Sequence, residues 1–427
     1  MSLSVERQSR LRIGSGHSGA SDTMSASHQA AESCLESLSL GTGETPDVAI
    51  VFFSPHHLTA VAQVSMAVMR RLRCRRMIGI STEGVMGGSH LIERAPALGI
   101  LALRCPGVTV TPFATEQFPV ADGSAESLFA LRDVVGISED LAATFLLADP
   151  FSTSMVKMLP DLNAARVGGR GVIFGGMASA SMNAGGNALL LDDRILKYGA
   201  VGVSLSGPIR VDAVVSQGCK AYGPAMVITK ARNNLILELG GKPAIEAIQD
   251  ALSEVGSQRR SLVASGMYMG IAIDEQKPRF GRDDFLVRRI VGVRPEQGAV
   301  AVAELVRAGQ TVRLHTRDAQ TARDDLAMVL DAQKLHDPPA GILVAAAAGR
   351  GRRLFKDGPG DAQAITKAFS QAAAGTELSK GGTPYYSTPP ALPLAGFVTT
   401  GEVAPIAGRS HVHHQTACVA IIRDVAD

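Results

Sequence analysis

Apolar residues in this chain come mostly in unbroken runs rather than in alternation. "DVAIVFFS" (Asp47 to Ser54) is such a run, the pattern of a strand covered on both faces. The next segment places Leu58, Val61, Val68, Met69 and Leu72 on one stripe and predicts a helix. "MIGISTEGVMGG" (Met77 to Gly88) predicts a short strand breaking into a glycine-rich turn. "LGILALR" and "VTVTPF" follow as strands, then a charged helical stretch over 122–138. The order recurs with "TFLLADP", a helix over 152–166 and "GVIFGGMASA". Beyond it the chain turns β-rich: "GAVGVSLSG", "IRVDAVVSQG", "AMVITKA" and "NLILEL" are separated by Gly, Pro and Asn signals. Lys242 to Leu252 reads as a helix with Pro243 in its first turn.

A Ser/Arg/Gly stretch near 253–266 reads as a joint between domains. After it come "YMGIAI", "FLVRRIVGV" and "QTVRLHTRD" as strands, a helix over 318–334 and "AGILVAAAAGRGRRLF". A helix over 361–372 leads into a loose Gly/Pro/Tyr segment, 375–393, and two strand-like stretches close the chain. No repeat of fixed period is visible. The pattern predicts an α+β (mixed α/β) protein with mixed sheets and helices outside, including the option of a layered α-β-β-α sandwich. It predicts a disordered lead at 1–45 and two domains, 46–256 and 257–427. "GSGHSG" (Gly14 to Gly19) lies in that lead, with no strand or helix foreseen beside it, so its match to the dinucleotide fingerprint is discounted.

Composition adds few constraints. At 427 residues, 46% hydrophobic and 19% charged, the chain suits a globular protein of more than one domain. A formal charge of +2 points to no particular partner. "RRLRCRR" (Arg70 to Arg76) closes a helical stretch, where cations complement the helix dipole, and no aromatic residues interleave it as nucleic-acid binding would favour. The five scattered cysteines lack Cys-x-x-Cys spacing, which suits a reducing, cytoplasmic setting and no structural zinc. No apolar run approaches the roughly 18 residues of a membrane span. The Ser- and Arg-rich start leaves a transit peptide as the alternative to a disordered tail.

Nucleophile-elbow, phosphate-loop and zinc-protease motifs are missing. What stands out is a set of strand-end loops in which small residues flank a polar group. They hold Ser81, Glu83 and Gly84; Gly175, Gly176 and Ser179; Gln217 and Gly218; Arg350 and Gly351; and Glu402. Flanking glycines let backbone amides approach a ligand while the side chain orients it. Arg350 is suited to a carboxylate, and Glu402 to an ammonium or to orienting a histidine. Near the C-terminus, His411, His413 and His414 look like metal ligands. Along a strand at most two share a face, and no nearby Cys or Asp completes a set, so no metal site is expected.

These loops together resemble the FIST family, the F-box and intracellular signal transduction proteins. "VFFSP", "MIGISTEGVMGG", "IFGGMASA", "VSQGCKAYGPAMVITKARNN" and "LELGGKPAIEAI" carry the likeness to its N-terminal domain. "FLVRRIVGV", "VRLHTRDA", "AGILVAAAAGRG", "LAGFVTTGEVAPI" and "HHQTACVAI" carry it to the C-terminal one. The resemblance implies a stand-alone, bacterial-type sensor that binds an amino acid or a derivative, uses no cofactor, and addresses a signalling protein rather than nucleic acid or a membrane. It also places His413 at a site position. The chain departs from the pattern at Ala345 to Ala348, where relatives often carry a cysteine, and at His414 and Gln415. Two other readings stand beside the sensor. One is a hydrolase with His413 as general base oriented by Glu402; the other is an adaptor without chemistry.

Overall fold

A computed structural model describes residues 11–120, 122–253, 266–356, 360–373 and 391–425. The mixed α+β class holds, and the described strands divide among four sheets. The chain forms two compact units, one made of 1–215 with 327–427 and the other of 216–326. The division therefore follows an insertion rather than two successive halves. The expected boundary at 256–257 and nearly all of the joint at 253–266 lie outside the described residues, as does most of the segment 375–393.

The larger unit contains three six-stranded sheets of matching order. The first runs Arg12–Ser18, Leu98–Arg104, Val48–Phe53, Arg76–Ser81, Leu189–Leu191, Arg194–Leu196. The second runs Thr109–Ala114, Ala200–Ser206, Leu141–Ala148, Val172–Met177, Glu402–Ile406, Arg409–His413. The third runs Ile209–Ser216, Ala417–Asp424, Gly341–Ala347, Leu394–Thr399, Gly84–Gly87, His90–Glu93. In each, the third and fourth strands are parallel and every other neighbour is antiparallel where a register is defined. The helices Val61–Leu72, Met155–Ala165 and Asp361–Ala373 fall between the two parallel strands of their respective sheets, as a parallel connection requires.

The unit is thus an internal threefold repeat. Each repeat supplies four strands to its own sheet and lends the hairpin that precedes its fourth strand in the chain to another. The hairpin 84–93 joins the third sheet, 189–196 the first, and 402–413 the second. The exchange is cyclic, so no sheet is complete without a neighbouring repeat. "GVMGG", expected as a turn, is for this reason a strand.

The lead predicted at 1–45 is ordered from Arg12 onward. Arg12–Ser18 is a strand paired along its length with Leu98–Arg104, and Thr23–Leu38 is a helix capped by the Asp22 carboxylate, which accepts from the Ser25 amide at 2.8 Å. Its packing is backbone against backbone. A Cβ on Gly16 would lie 2.1 Å from the Ala30 carbonyl oxygen, and one on Gly14 2.5 Å from that of Cys34. Close approach of this kind needs glycine and alanine, which carry no apolar signal into the sequence. The two glycines lie within the strand, not in a turn that could cradle a phosphate.

The inserted unit closes on itself. Lys220–Arg232 pairs with Thr311–Thr316 through its first half and with Leu235–Leu239 through its second. The circuit runs on through Met267–Ala272, Phe285–Arg294 and Ala299–Val302, all antiparallel, giving a six-stranded barrel. Ile228, Ile236, Met269, Val312 and Leu314 fill it together with Ala247, Ile248, Ala251 and Leu252 of the helix Ala244–Ser253.

Candidate functional site

In each repeat the second parallel strand leads, through a turn, into the exchanged hairpin. The turns are 82–83, 178–188 and 400–401, at the carboxyl ends of parallel strands where ligands collect in mixed sheets. Hydrogen bonds draw the three together. The Thr82 hydroxyl donates to the Val398 carbonyl oxygen at 2.6 Å, and so does the Ser179 hydroxyl, at 2.6 Å. The Glu83 amide donates to Ser179 Oγ at 2.9 Å, and the Ser179 amide to the Ser81 carbonyl at 3.3 Å. The Thr400 hydroxyl donates to the Ala178 carbonyl at 3.0 Å, and Thr399 Oγ1 accepts from the Met177 amide at 2.8 Å. Ser81, Thr82, Ser179 and Thr399 are all buried.

The loop 178–188 is the long member of the three. The Asn187 side chain anchors it, accepting from the Ser181 amide at 2.9 Å and donating to Asp149 at 3.2 Å. Buried Asp149 also takes the Ser152 hydroxyl at 2.6 Å and the Ser152 amide at 3.0 Å. The loop's base is fixed while Met182, near its tip, is 80% exposed.

Glu83 carries the charge of the first turn. Partial burial of its carboxyl raises its pKa above the ordinary value; Arg353 opposes the rise, Glu93 adds to it and Arg94 opposes it. Gly84 stands opposite Glu93 in the hairpin register. Gly351 presses against the same carboxylate, since a Cβ there would meet Glu93 Oε1 at 2.0 Å, and the Arg352 amide donates to Glu93 Oε2 at 3.0 Å. Glu83, Glu93, Arg94 and Arg353 thus place both signs of charge around the turn.

Arg350 is turned inward. Its Nε and Nη2 donate to the two oxygens of Asp361 at 2.8 and 2.7 Å, a bidentate pair with both side chains buried. The guanidinium also lies 5.7 Å from the centroid of the Phe355 ring.

Glu402 faces Gly176 on one neighbouring strand and His413 on the other. Gly176 leaves room for this seam, because a Cβ would come within 2.7 Å of Thr399 Oγ1; at Gly175 it would meet the Leu146 carbonyl oxygen at 1.8 Å. Glu402 Oε2 accepts from both the amide and the hydroxyl of Thr416, at 3.0 and 2.5 Å. His413 Nε2 sits 2.9 Å from the Ala404 carbonyl oxygen, so that nitrogen carries the proton. His411 and His413 share a strand face, with ring centroids 6.4 Å apart. Among the described residues, no group of three or more His, Cys, Asp or Glu gathers as a metal site would. Cys418 lies in the same interior. Burial, and next the Glu402 carboxylate, push its thiol well above the ordinary value, so it stays protonated.

Gln217 and Gly218 belong to the inserted barrel. The Gln217 side chain donates to the Phe285 carbonyl at 2.9 Å and accepts from the Val287 amide at 3.2 Å, pinning a chain segment to a strand. The Gly218 amide donates to Asp325 at 2.8 Å.

The threefold unit therefore brings together Ser81, Glu83 and Ser179 at the turns, and Gly175, Gly176, Glu402 and His413 along a strand seam beneath them. Thr399, Thr416, Asp149, Asn187 and Asp361 were not singled out from the sequence. A hydroxyl closing an apolar strand was the available signal for Thr399, and nothing of that kind marks Thr416. Asp361 had none, because a helix-initiating Asp looks the same whether or not an arginine meets it.

The sequence matches the FIST N domain model over residues 47–242 and the FIST C domain model over 244–405. The chain is similar to the uncharacterized protein MT0656 of Mycobacterium tuberculosis, 32% identical over 416 residues that span 97% of this chain and 100% of the relative. It is also similar to the uncharacterized protein Mb0898c of Mycobacterium bovis, 30% identical over 419 residues, 97% of this chain and 99% of the other. A cyanuric acid hydrolase from A. caulinodans overlaps 97% of the chain at 8% identity with a TM-score of 0.32, a likeness too slight to bear on function.

Proposed function

The chain belongs to the FIST family, a sensory, signal-transduction type of protein, and on that premise we propose that it binds a small amphoteric metabolite, an amino acid or close derivative. The site is the junction of the three strand-end turns. The observation that carries this reading is the meeting of turns from all three repeats around buried hydroxyls, beside a rim bearing Glu83, Glu93, Arg94 and Arg353. Such a rim matches a ligand that itself carries an ammonium and a carboxylate. Glu83 is the ammonium partner: a cation beside its partly desolvated carboxyl favours the charged form. The glycines Gly84, Gly175, Gly176 and Gly351 let Val398, Leu146, Thr399 and Glu93 pack against the backbone and so set the turns in place. Arg350, held by Asp361, and Glu402, held by Thr416, support the site from below, with His413 fastening the hairpin.

Isothermal titration against an amino-acid panel tests it. The expected result is saturable heat from at least one member, weakened tenfold or more by Glu83→Gln. No heat from any member, with the wild-type protein folded, would overturn the amino-acid reading.

A further inference from the structure

The helical layer over the second sheet differs from that over the first. In the first repeat, the helix Thr23–Leu38 has no large apolar residue exposed, and Val61–Leu72 has only Met66, at 42%. In the second, the equivalent helix Ala125–Val135 holds Phe129 at 71% exposure. Phe129 borders an open groove of about 580 Å³, also lined by Asp133, Glu139 and Asp140, against Arg132 among the described lining residues and Arg170, which donates to the Glu139 backbone carbonyl. Among the described residues, neither Asp133 nor Glu139 has a side-chain partner. Asp133 also lies near its helix C-terminus, where the helix dipole disfavours an anion. An apolar anchor with unmatched negative charge marks a surface awaiting a cationic, partly apolar partner.

The chain itself offers that chemistry. On Val61–Leu72 and its cap, Met66, Arg70 and Arg73 follow at i, i+4 and i+7 on one stripe. Arg70 and Arg73 are exposed and, among the described residues, their side chains have no partner. Phe129 and Asp133 repeat the same spacing with the opposite sign. We propose that the acidic groove of one copy receives the basic helix end of a second copy, in head-to-tail association. Because the two patches differ, the contact is heterologous and builds rings or open arrays rather than simple twofold dimers. The proposal is independent of the ligand site.

Sedimentation velocity on the full chain tests it, using exposed positions whose replacement spares the core. Wild type should associate with rising concentration at low salt and dissociate at about 0.5 M salt, where charges are screened beyond a few ångströms. Asp133→Lys with Glu139→Lys, and separately Arg70→Glu with Arg73→Glu, should each weaken association at least tenfold. Phe129→Ser should weaken it as well. An equimolar mixture of the two charge-reversed variants should restore association, because each then presents the complement of the other. A wild type that stays monomeric overturns the proposal, as does association indifferent to both reversals. Failure of the mixture to re-associate, with both variants folded by circular dichroism, overturns it too.

Discussion

Arg350 and Asp361 form an ion pair in which both partners are buried and matched in two hydrogen bonds. Removing one partner strands a charge in the interior, which costs about 3–5 kcal/mol, whereas replacing both by apolar residues of similar volume costs far less. Arg350→Met or Asp361→Leu alone should therefore lower the urea midpoint strongly, and the double variant should recover most of the loss. Equal loss in the single and double variants would contradict a paired role. Glycines on both sides made Arg350 look like a ligand clamp in the sequence. Its partner 11 residues on, at the start of a helix, turns the same pattern into an interior brace. Glu83 could be singled out because it directly follows an apolar strand and a threonine, and its side chain stays exposed on its turn.

Strands with continuous apolar runs were readable: Val48–Phe53, Leu141–Ala148 and Gly341–Ala347 are buried along nearly their whole length. Arg12–Ser18 was not, because its contact with the helix Thr23–Leu38 runs through Gly14 and Gly16 and through Ala30. In the barrel, the strand Thr311–Thr316 carries His315, whose ring meets Phe285 edge-on and lies where a Cβ on Gly270 would touch it at 2.3 Å. Burial lowers its pKa from 6.5 to about 4. The unfolded chain then takes up a proton between those values that the folded barrel refuses, so stability is full above pH 6.5 and falls as pH drops towards 4. By linkage the loss is on the order of 3 kcal/mol. Hydrogen exchange should show the strands 267–272 and 311–316 opening more readily over this range, and His315→Gln should flatten the dependence. An unchanged pH profile in the variant would show that another group governs it.

The threefold repeat left no trace as a sequence period for two physical reasons. The third copy is interrupted by the barrel at 216–326, and the turns differ in length, with 178–188 far longer than 82–83 or 400–401. Exchange of hairpins hides it further, since each hairpin pairs with a strand distant in the chain, as Gly84–Gly87 does with Leu394–Thr399. The same exchange places three turns from three repeats at one junction, an arrangement that nearest-neighbour pattern reading cannot reach. Hydrogen exchange with mass spectrometry across the whole chain, with and without a saturating amino-acid mixture, tests that junction as the binding site. Protection should appear together in 82–84, 178–188 and 399–402 while the barrel strands stay unchanged. Protection confined to the barrel, or to one turn without the other two, would contradict a ligand held where the three repeats meet.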